Sequence, residues 1–457
     1  MSQRATARSI DAPFRAPGET ADQLALELRT ELPRLAIEAD WKDQARLWGH
    51  PLHPMCSYLA SFPAALAHAF IARYSRPGDV VFDPFSGRGT TPLQAAAEGR
   101  IGVGNDLNPF AHLLTAAKVQ PATPAEARTR LTRLRLAWSG VAQGWERRAV
   151  AIQASPGTPD GAPAEVAIAF HPRTFAQLLY LREALDLNDR VDRFLAAAIT
   201  GILHGKSASY LSELMPNTFS MAPRYVRDFA ARTAYAAPDR DVFACLGAKL
   251  DRLYRAPLPP GAGIALLGDA RDAAGRARTA LRARGLPDRA RLVVTSPPYL
   301  RVVKYGYYNW LRAWFLGEDP RAIDAALDDA HHRAPYLDFM REVLHATRPI
   351  LADDAIVVLV IGDVATDRGR AIRSGTHLAE QVWAAAAAPE GYRLAGVALD
   401  EVQANRKMTK LWGEEAGRAT QLDRILVLGA SEAGRRRALS GAATPVDWTW
   451  PQRLRAL

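Results

Sequence analysis

Short apolar runs rich in β-branched residues recur along the chain, and most are separated by stretches with helical periodicity. The first two runs, at residues 79–82 and 101–104, enclose an alanine-rich helical stretch. Apolar runs of this length, bounded by glycine or aspartate, are typical of buried strands. Strand, helix and strand make a βαβ unit, which implies parallel strands and a right-handed crossover. Five more strands are predicted at residues 264–267, 292–295, 355–361, 393–399 and 424–428.

Stretches with helical spacing fill most of the intervals between the predicted strands. Phe62, Leu66 and Tyr74 lie on one face of a helix that ends before Pro77. Residues 336–351 show the same spacing of apolar positions. Helices that alternate with buried strands define an α/β fold. We therefore predict an α/β fold built on a parallel sheet of about seven strands.

The segment between residues 111 and 262 has a different character. It is mostly helical, with a proline- and glycine-rich break at 155–163. Thr123 and Glu126 form a capping-box pattern around Pro124, which predicts the start of a helix. We interpret this segment as a helical insertion within the α/β domain.

Residues before the first strand have apolar positions at helical spacing that are interrupted at Pro33, and this pattern predicts two short helices. The predicted organisation has three parts. They are an N-terminal helical arm at 1–48, an α/β domain formed by 49–110 and 263–457, and the helical insertion at 111–262.

The composition is that of an ordinary globular protein of 457 residues, with 48% hydrophobic side chains and 2 cysteines, and it excludes a collagen, a disordered chain or a disulfide scaffold. A net charge of +10 fits contact with a polyanion, although an arginine-rich composition alone accounts for it equally well. Cys56 and Cys245 lack metal-ligand spacing, which suits a reducing compartment and predicts no metal site. No apolar segment is long enough to cross a membrane, so we expect a cytoplasmic protein without membrane contact.

A glycine-rich turn follows the first predicted strand and opens a helix. Gly87 and Gly89 allow the backbone to approach a ligand closely, and the amide groups of the helix start face that ligand. Asp106 ends the next strand about 20 residues later, where a carboxylate can accept hydrogen bonds from ribose hydroxyls. A phosphate-binding P-loop is disfavoured because no Gly-Lys-Ser/Thr follows the turn. On these residues alone, a dinucleotide fold remains open.

A second motif, at residues 295–299, follows another buried strand and reads Thr-Ser-Pro-Pro-Tyr. Pro297 and Pro298 fix the backbone and lack N–H donors, so this corner offers carbonyl acceptors, and the Ser296 hydroxyl adds another. An acceptor-only corner suits an amino group, and Tyr299 could stack on a planar base. The alternative is a proline turn that packs a tyrosine into the core.

Together, the two motifs VVFDPFSGRGTT and VVTSPPY resemble those of the S-adenosylmethionine-dependent DNA amino-methyltransferases. The resemblance covers residues 50–110 and 264–430 and implies the class I, Rossmann-like methyltransferase fold, with S-adenosylmethionine as cofactor. That fold is a seven-stranded, mostly parallel sheet with helices on both faces, here with a helical insertion. The catalytic residues that it implies are Ser296, Pro297, Pro298 and Tyr299. The implied cofactor-binding residues are Phe62, Asp83, Pro84, Phe85, Gly87, Gly89, Thr90, Thr91, Asp106 and Asp269.

Within this set, the resemblance implies that Asp106 holds the ribose. Thr90, Thr91 and Phe62 would lie near the methionine end of the cofactor. Asp269 would contact the adenine ring, but an aspartate at this position could also cap the next helix.

The resemblance also implies a reaction and a partner. Acceptors at the Pro-Pro corner would hold the exocyclic amine of cytosine N4 or adenine N6, in a base flipped out of double-stranded DNA. Serine at the first catalytic position is more typical of cytosine-N4 enzymes, which we favour, and such an enzyme has a possible cognate restriction endonuclease. RNA guanine or protein glutamine as substrate, and a DNA-binding module without activity, remain as alternatives. Carbon-5 methylation is disfavoured because neither cysteine follows a proline.

Two basic and aromatic stretches could contact DNA. One spans residues 301–310 and the other residues 206–227. Core packing explains the first equally well, and an arginine-rich composition could produce the second by chance. The helical insertion is the natural candidate for target recognition, although the family more often places that domain after its third motif, which Gly268-Asp269 resembles here.

Overall fold

The computed structural model describes residues 32–59, 61–154, 164–216, 218–298, 304–327, 333–362, 377–401 and 422–455. Seven strands in this part of the chain form one sheet with the order β3-β2-β1-β4-β5-β7-β6. The pairs among β1 to β5 are parallel, and β7 runs antiparallel to both β5 and β6. The predicted α/β fold with a mostly parallel, seven-stranded sheet is therefore confirmed. The strands are β1 Val80–Asp83, β2 Ile101–Asp106, β3 Gly263–Leu267, β4 Ala290–Thr295, β5 Leu351–Gly362, β6 Arg393–Glu401 and β7 Leu422–Gly429.

Helices connect the strands and cover both faces of the sheet. In the part of the chain that contains β1 to β5, apart from the segment predicted as an insertion, they are α1 Ala64–Tyr74, α2 Thr90–Ala97, α3 Pro109–Val119, α10 Ala270–Arg282, α11 Tyr305–Tyr308, α12 Trp310–Leu316, α13 Pro320–Ala326 and α14 Arg333–Thr347. In the segment predicted as an insertion they are α4 Pro124–Ala154, α5 Ala164–Ala169, α6 Pro172–Ala184, α7 Arg190–Thr200, α8 Pro223–Thr233 and α9 Val242–Leu253. Near the last strands they are α15 Leu378–Val382, α16 Glu432–Gly441 and α17 Trp450–Arg455.

The sheet has an apolar core on each face, because its central strands are buried on both sides. Phe82 of β1 faces a cluster built with α10, α14 and α15. Val81, one residue earlier, faces the opposite cluster, built with α1 and α16. This alternation fixes the register of the sheet, because a slip of one residue would exchange the two faces.

The helical segment shares its core with the α/β domain. Its buried side chains form one cluster with Phe110 of α3, Leu93 of α2, and Trp310 and Trp314 of α12. Helix α3, which begins at Pro109, packs on β2 and β3 and so belongs with the sheet, although most of it lies after residue 110. The division of the chain into domains stays a prediction.

The prediction of a helix immediately after Pro33 is wrong. The Leu35 N–H donates to the Val397 carbonyl at 2.9 Å, and the Val397 N–H donates to the Pro33 carbonyl at 2.9 Å. These residues therefore extend along the edge strand β6 as a short parallel bridge. Pairing with the unsatisfied edge of a sheet outweighs the helical spacing of the apolar residues. Residues 1–31, including the first predicted helix, lie outside the described residues.

Gly102 of β2 allows α2 to pack directly on the sheet. A Cβ atom at this position would lie 2.0 Å from the Pro92 carbonyl oxygen. We expect Gly102→Ala to lower the free energy of unfolding by about 1–3 kcal/mol, because α2 must move away. Urea denaturation followed by circular dichroism measures this change. Gly275→Ala is the matched control: no atom lies within 4 Å of its added Cβ, so this helical substitution should raise stability by about 0.5–1 kcal/mol.

Candidate active site

The carboxyl ends of β1, β2 and β4 meet at one edge of the sheet and bring the two sequence motifs together. Asp83 ends β1, Asp106 ends β2 and Thr295 ends β4. From β1 the chain continues to β2 on one side, whereas β4 lies on the other side. Such a reversal of strand order opens a crevice beyond the carboxyl ends, where ligands of α/β proteins bind.

The glycine turn follows β1 and has a left-handed backbone at two positions, with φ of +50° at Gly87 and +78° at Gly89. At Gly89 a Cβ would lie 2.8 Å from the Thr115 hydroxyl, so both the conformation and the space require glycine. At Gly87 a Cβ would fill the gap toward the Tyr58 ring, 3.7 Å away. The Tyr58 ring therefore lies over Gly87, and the left-handed backbone is what favours glycine at this position.

Asp106 shapes this turn from the end of β2. Its carboxylate accepts a hydrogen bond from the Gly87 N–H at 2.8 Å and one from the Asn108 N–H at 2.9 Å. Desolvation raises the pKa of Asp106 to about 6, although these two bonds act in the opposite direction. Each carboxylate oxygen has a second lone pair, so Asp106 can still accept hydrogen bonds from two ribose hydroxyls.

Asp83 joins the glycine turn to the second motif. Its Oδ1 accepts from the Thr295 hydroxyl at 2.6 Å and from the Phe85 N–H at 3.1 Å. Burial raises the pKa of Asp83 to about 7. The buried Thr91 hydroxyl makes a second link to β4, by donating to the Val294 carbonyl at 3.0 Å. Turn and corner therefore form one rigid unit.

Ser296 begins the acceptor corner after β4. Its hydroxyl donates to the Val360 carbonyl of β5 at 3.2 Å. Because the only proton of the hydroxyl is used in that bond, the Ser296 oxygen is left as an acceptor. Pro297 is buried and Pro298 is half-buried, whereas Tyr299 lies outside the described residues.

Other predicted cofactor residues have structural contacts of their own. Asp269 caps α10: it accepts from the Arg271 N–H at 2.7 Å and forms an ion pair with the Arg271 side chain, which lowers its pKa. Phe85 packs against Phe339 at 5.8 Å between ring centroids. Phe62 is half-buried against the α1-side core. Pro84 and Thr90 are buried within the turn and at the start of α2.

Sequence reasoning missed Tyr58, which lies beside the turn. Its ring faces Gly87 and stacks on Tyr305, with 5.6 Å between centroids and 19° between the planes. Its hydroxyl accepts from the Asn108 side chain at 3.1 Å. The signal was weak: Tyr58 lies four residues before Phe62, in a stretch without regular periodicity.

Lys118 was also missed, because a lysine in an apolar helix gives no functional signal. It is fully buried in α3, and its ammonium donates to the Arg88 carbonyl at 2.6 Å and the His53 carbonyl at 3.4 Å. Burial and the nearby Arg88 charge hold the pKa of Lys118 well below its usual value. Lys118 thus ties the glycine turn to the segment before α1.

We expect Lys118→Met to weaken S-adenosylmethionine binding about tenfold, because the Arg88 and His53 carbonyls lose their donor and the turn loosens. Titration calorimetry measures this affinity. Lys249→Met is the control, since the Lys249 ammonium is also buried but donates to the Pro54 carbonyl, at 3.0 Å, and not to the turn. Equal losses of cofactor affinity in both variants would contradict a specific role for Lys118.

The sheet order, with its antiparallel β7 and the glycine turn after β1, defines a class I, Rossmann-like methyltransferase fold. Residues 31–117 match the N6/N4 family model described as DNA methylase. Over this range the chain is similar to that family, whose methyl donor is S-adenosylmethionine. The predicted family and cofactor are therefore confirmed.

A curated relative is similar over a short stretch. The Type II methyltransferase M.MjaII of Methanocaldococcus jannaschii is 37% identical over 71 residues, which are 16% of this chain. The match spans only 13% of the length of that relative.

Two solved structures show a weak similarity to this chain. TrmN from Thermus thermophilus is 12% identical, with a TM-score of 0.29 over 83% of this chain and 52% of its own. The rRNA methyltransferase aviRa from Streptomyces viridochromogenes is 12% identical, with a TM-score of 0.30 over 83% and 88%. Similarity this low says nothing about the substrate of this chain.

Proposed function

We propose that this protein transfers a methyl group from S-adenosylmethionine to the exocyclic N4 amine of cytosine in double-stranded DNA. The hydrogen bond between Asp83 and Thr295 is the observation that carries the proposal. It fixes the glycine turn and the acceptor corner at Ser296 to the same edge of the sheet. A cofactor held by the turn and an amine held by the corner would therefore meet.

The residues at the turn fit the cofactor. The carboxylate of Asp106 has lone pairs free for ribose hydroxyls, and it bonds to the amide of Gly87, a half-buried position of the turn that carries no side chain. When bound, S-adenosylmethionine supplies an electrophilic methyl group on a positively charged sulfur. Phe62, Thr90 and Thr91 are proposed to lie toward its methionine end.

Ser296 and the Pro297 carbonyl are proposed to orient the amine. The lone pair of a cytosine N4 amine is delocalised into the ring, which makes the nitrogen a weak nucleophile. Acceptors that draw the two N–H groups out of the ring plane favour a pyramidal nitrogen with an available lone pair. Ser296 is suited to this role because the Val360 carbonyl already takes its proton. Tyr299 is proposed to stack on the flipped base.

The proposal is tested by measuring the transfer of labelled methyl groups to DNA and to RNA, side by side. We expect label in DNA, with N4-methylcytosine in the nucleoside digest. N6-methyladenine alone would overturn the choice of cytosine, which rests on the serine of the motif. Label in RNA and none in DNA would overturn the substrate class.

The relative M.MjaII is named a Type II methyltransferase, and this supports a cognate restriction endonuclease as a partner of the present enzyme. In the part of the chain that the structure describes, none of the helices has the length and apolarity needed to span a bilayer. The isolated cysteines support a cytoplasmic location.

A further inference from the structure

The helical segment is bonded directly to the helices that follow the acceptor corner. The Ser220 N–H donates to the Tyr308 carbonyl at 2.6 Å, and the indole N–H of Trp310 donates to the Met221 carbonyl at 2.7 Å. We call this contact, between residues 218–221 and residues 304–312, the junction. The junction fixes one end of the helical segment beside the α11 and α12 helices.

The junction lies close to the candidate active site. Tyr305 stacks on Tyr58, and the Tyr58 ring in turn covers the glycine turn at Gly87. Lys304 is six residues after Pro298 in the sequence. Six residues span at most about 20 Å, so the Lys304 backbone lies within that distance of the acceptor corner.

A loop at residues 205–210 projects beside the junction. Its base is held by the buried His204, whose Nδ1–H donates to the Pro216 carbonyl at 2.6 Å and whose Nε2 lies 3.4 Å from the Ser220 hydroxyl. Between these fixed points Lys206, Ser207 and Ser209 are exposed. The loop therefore presents an ammonium and two hydroxyls to solvent and contains no acidic residue.

Two cations of this region have no carboxylate partner among the residues that the structure describes. Lys206 and Lys304 are exposed, and neither forms an ion pair with any residue that the structure describes. Other cations of the helical segment are neutralised, as Arg227 is by Glu165 and Arg240 by Glu213, the latter at 2.7 Å. Exposed lysines with no carboxylate within ion-pair distance among the described residues keep their charge available to attract anions.

We propose that Lys206, with the hydroxyls of its loop, and Lys304 bind backbone phosphates of the DNA strand that carries the flipped base. This surface rests on the proposed function and adds the place where the duplex is held. Lysine and hydroxyl groups suit phosphate oxygens, and such contacts position the nucleic acid without reading its sequence. The bases next to the target would then be read by other residues.

The test measures the affinity of the full-length protein for an unmodified DNA duplex at several salt concentrations. Each phosphate contact contributes about 0.9 to the slope of log K against log salt. We expect the double variant Lys206→Gln, Lys304→Gln to lose about 2 from this slope and to weaken binding equally for all sequences. The control, Arg133→Gln with Arg436→Gln, removes the same charge from exposed residues of α4 and α16 and should leave the slope unchanged.

The test measures DNA binding and not methyl transfer, so its outcome can be told apart from the outcome of the test of the proposed function. An unchanged slope in the lysine variant, or an equal loss in the control, would overturn the phosphate surface even if the protein methylates DNA. A specific loss of slope without DNA methylation would support the surface and overturn the activity. Specific binding of an RNA duplex, with no binding of DNA, would overturn DNA as the partner. S-adenosylmethionine affinity, measured alongside, should be unchanged in both double variants.

Discussion

Ser296→Ala should lower the rate of methyl transfer at saturating substrates by about 10²-fold, while the affinity for S-adenosylmethionine stays within a factor of about two. The oxygen of Ser296 is proposed to accept a hydrogen bond from the amine as the nitrogen becomes pyramidal. An interaction that strengthens in the transition state affects the rate more than binding. Single-turnover methylation of a DNA duplex measures the rate, and calorimetry measures cofactor affinity.

The hydrogen bond from Ser296 to Val360 makes a control variant necessary. Alanine removes a structural contact to β5 as well as the acceptor, so a loss of rate could reflect a shifted corner. Ser296→Asp restores a carboxylate acceptor at the same position and should recover part of the rate. A loss of rate and cofactor affinity in equal measure, with folding intact, would contradict the proposed role.

Asp106→Ala should have the opposite profile. It removes the proposed ribose acceptor and also releases the Gly87 and Asn108 amides, which shape the turn. Hydrogen bonds to charged groups contribute about 1.5–3 kcal/mol, so we expect S-adenosylmethionine affinity to fall by about 10- to 150-fold. The rate at saturating cofactor should change much less. Equilibrium binding and single-turnover rates, measured on the same variant, decide between these effects.

The raised pKa of Asp106 adds a pH signature. Below about pH 6 the carboxylate gains a proton, and cofactor affinity should fall because a neutral carboxyl group accepts hydrogen bonds more weakly than a carboxylate. Asp106→Asn should remove this step, whereas Asp83, with a pKa of about 7, should add its own step to the profile of both proteins. A wild-type affinity that is constant from pH 5 to pH 8 would contradict the role of Asp106.

The raised pKa of Asp106 also makes the free energy of unfolding depend on pH. The folded protein holds the Asp106 proton more tightly than the unfolded chain, in which an aspartate has a pKa of about 3.9. Protonation therefore favours the folded state, and the free energy of unfolding without cofactor should decrease as pH rises from about 4 to about 6. Asp106→Asn should reduce this decrease.

The strands could be predicted from the sequence because each is a short apolar run buried on both faces. Their positions agree within a few residues, and the main difference is β5, which starts at Leu351 and not at Ala355. Helix α14 ends at Thr347 and continues as a 3₁₀ turn over Arg348–Ile350, close to the predicted end, because Pro349 lacks the N–H that a further α-helical hydrogen bond needs. The extended segment at Leu35 could not be predicted, since its partner, Val397, is remote in sequence.

Some residues of the candidate site could be predicted from the sequence, and others could not. Asp83, Gly87 and Asp106 follow strands, so their meeting at one sheet edge follows from the strand order that the motifs imply. Lys118 and Tyr58 act through contacts that depend on how α3 and the segment before α1 pack. Such packing leaves no pattern in a single sequence.

The bridge between the segment after Pro33 and strand β6 affects how the protein is made as well as its final shape. Its two partners lie more than 350 residues apart, so the early segment has no template until the ribosome has synthesised β6. At about 5–20 residues per second, this delay is on the order of tens of seconds. During that time the nascent chain exposes apolar residues such as Leu35, and a chaperone that shields them should raise the yield of native protein.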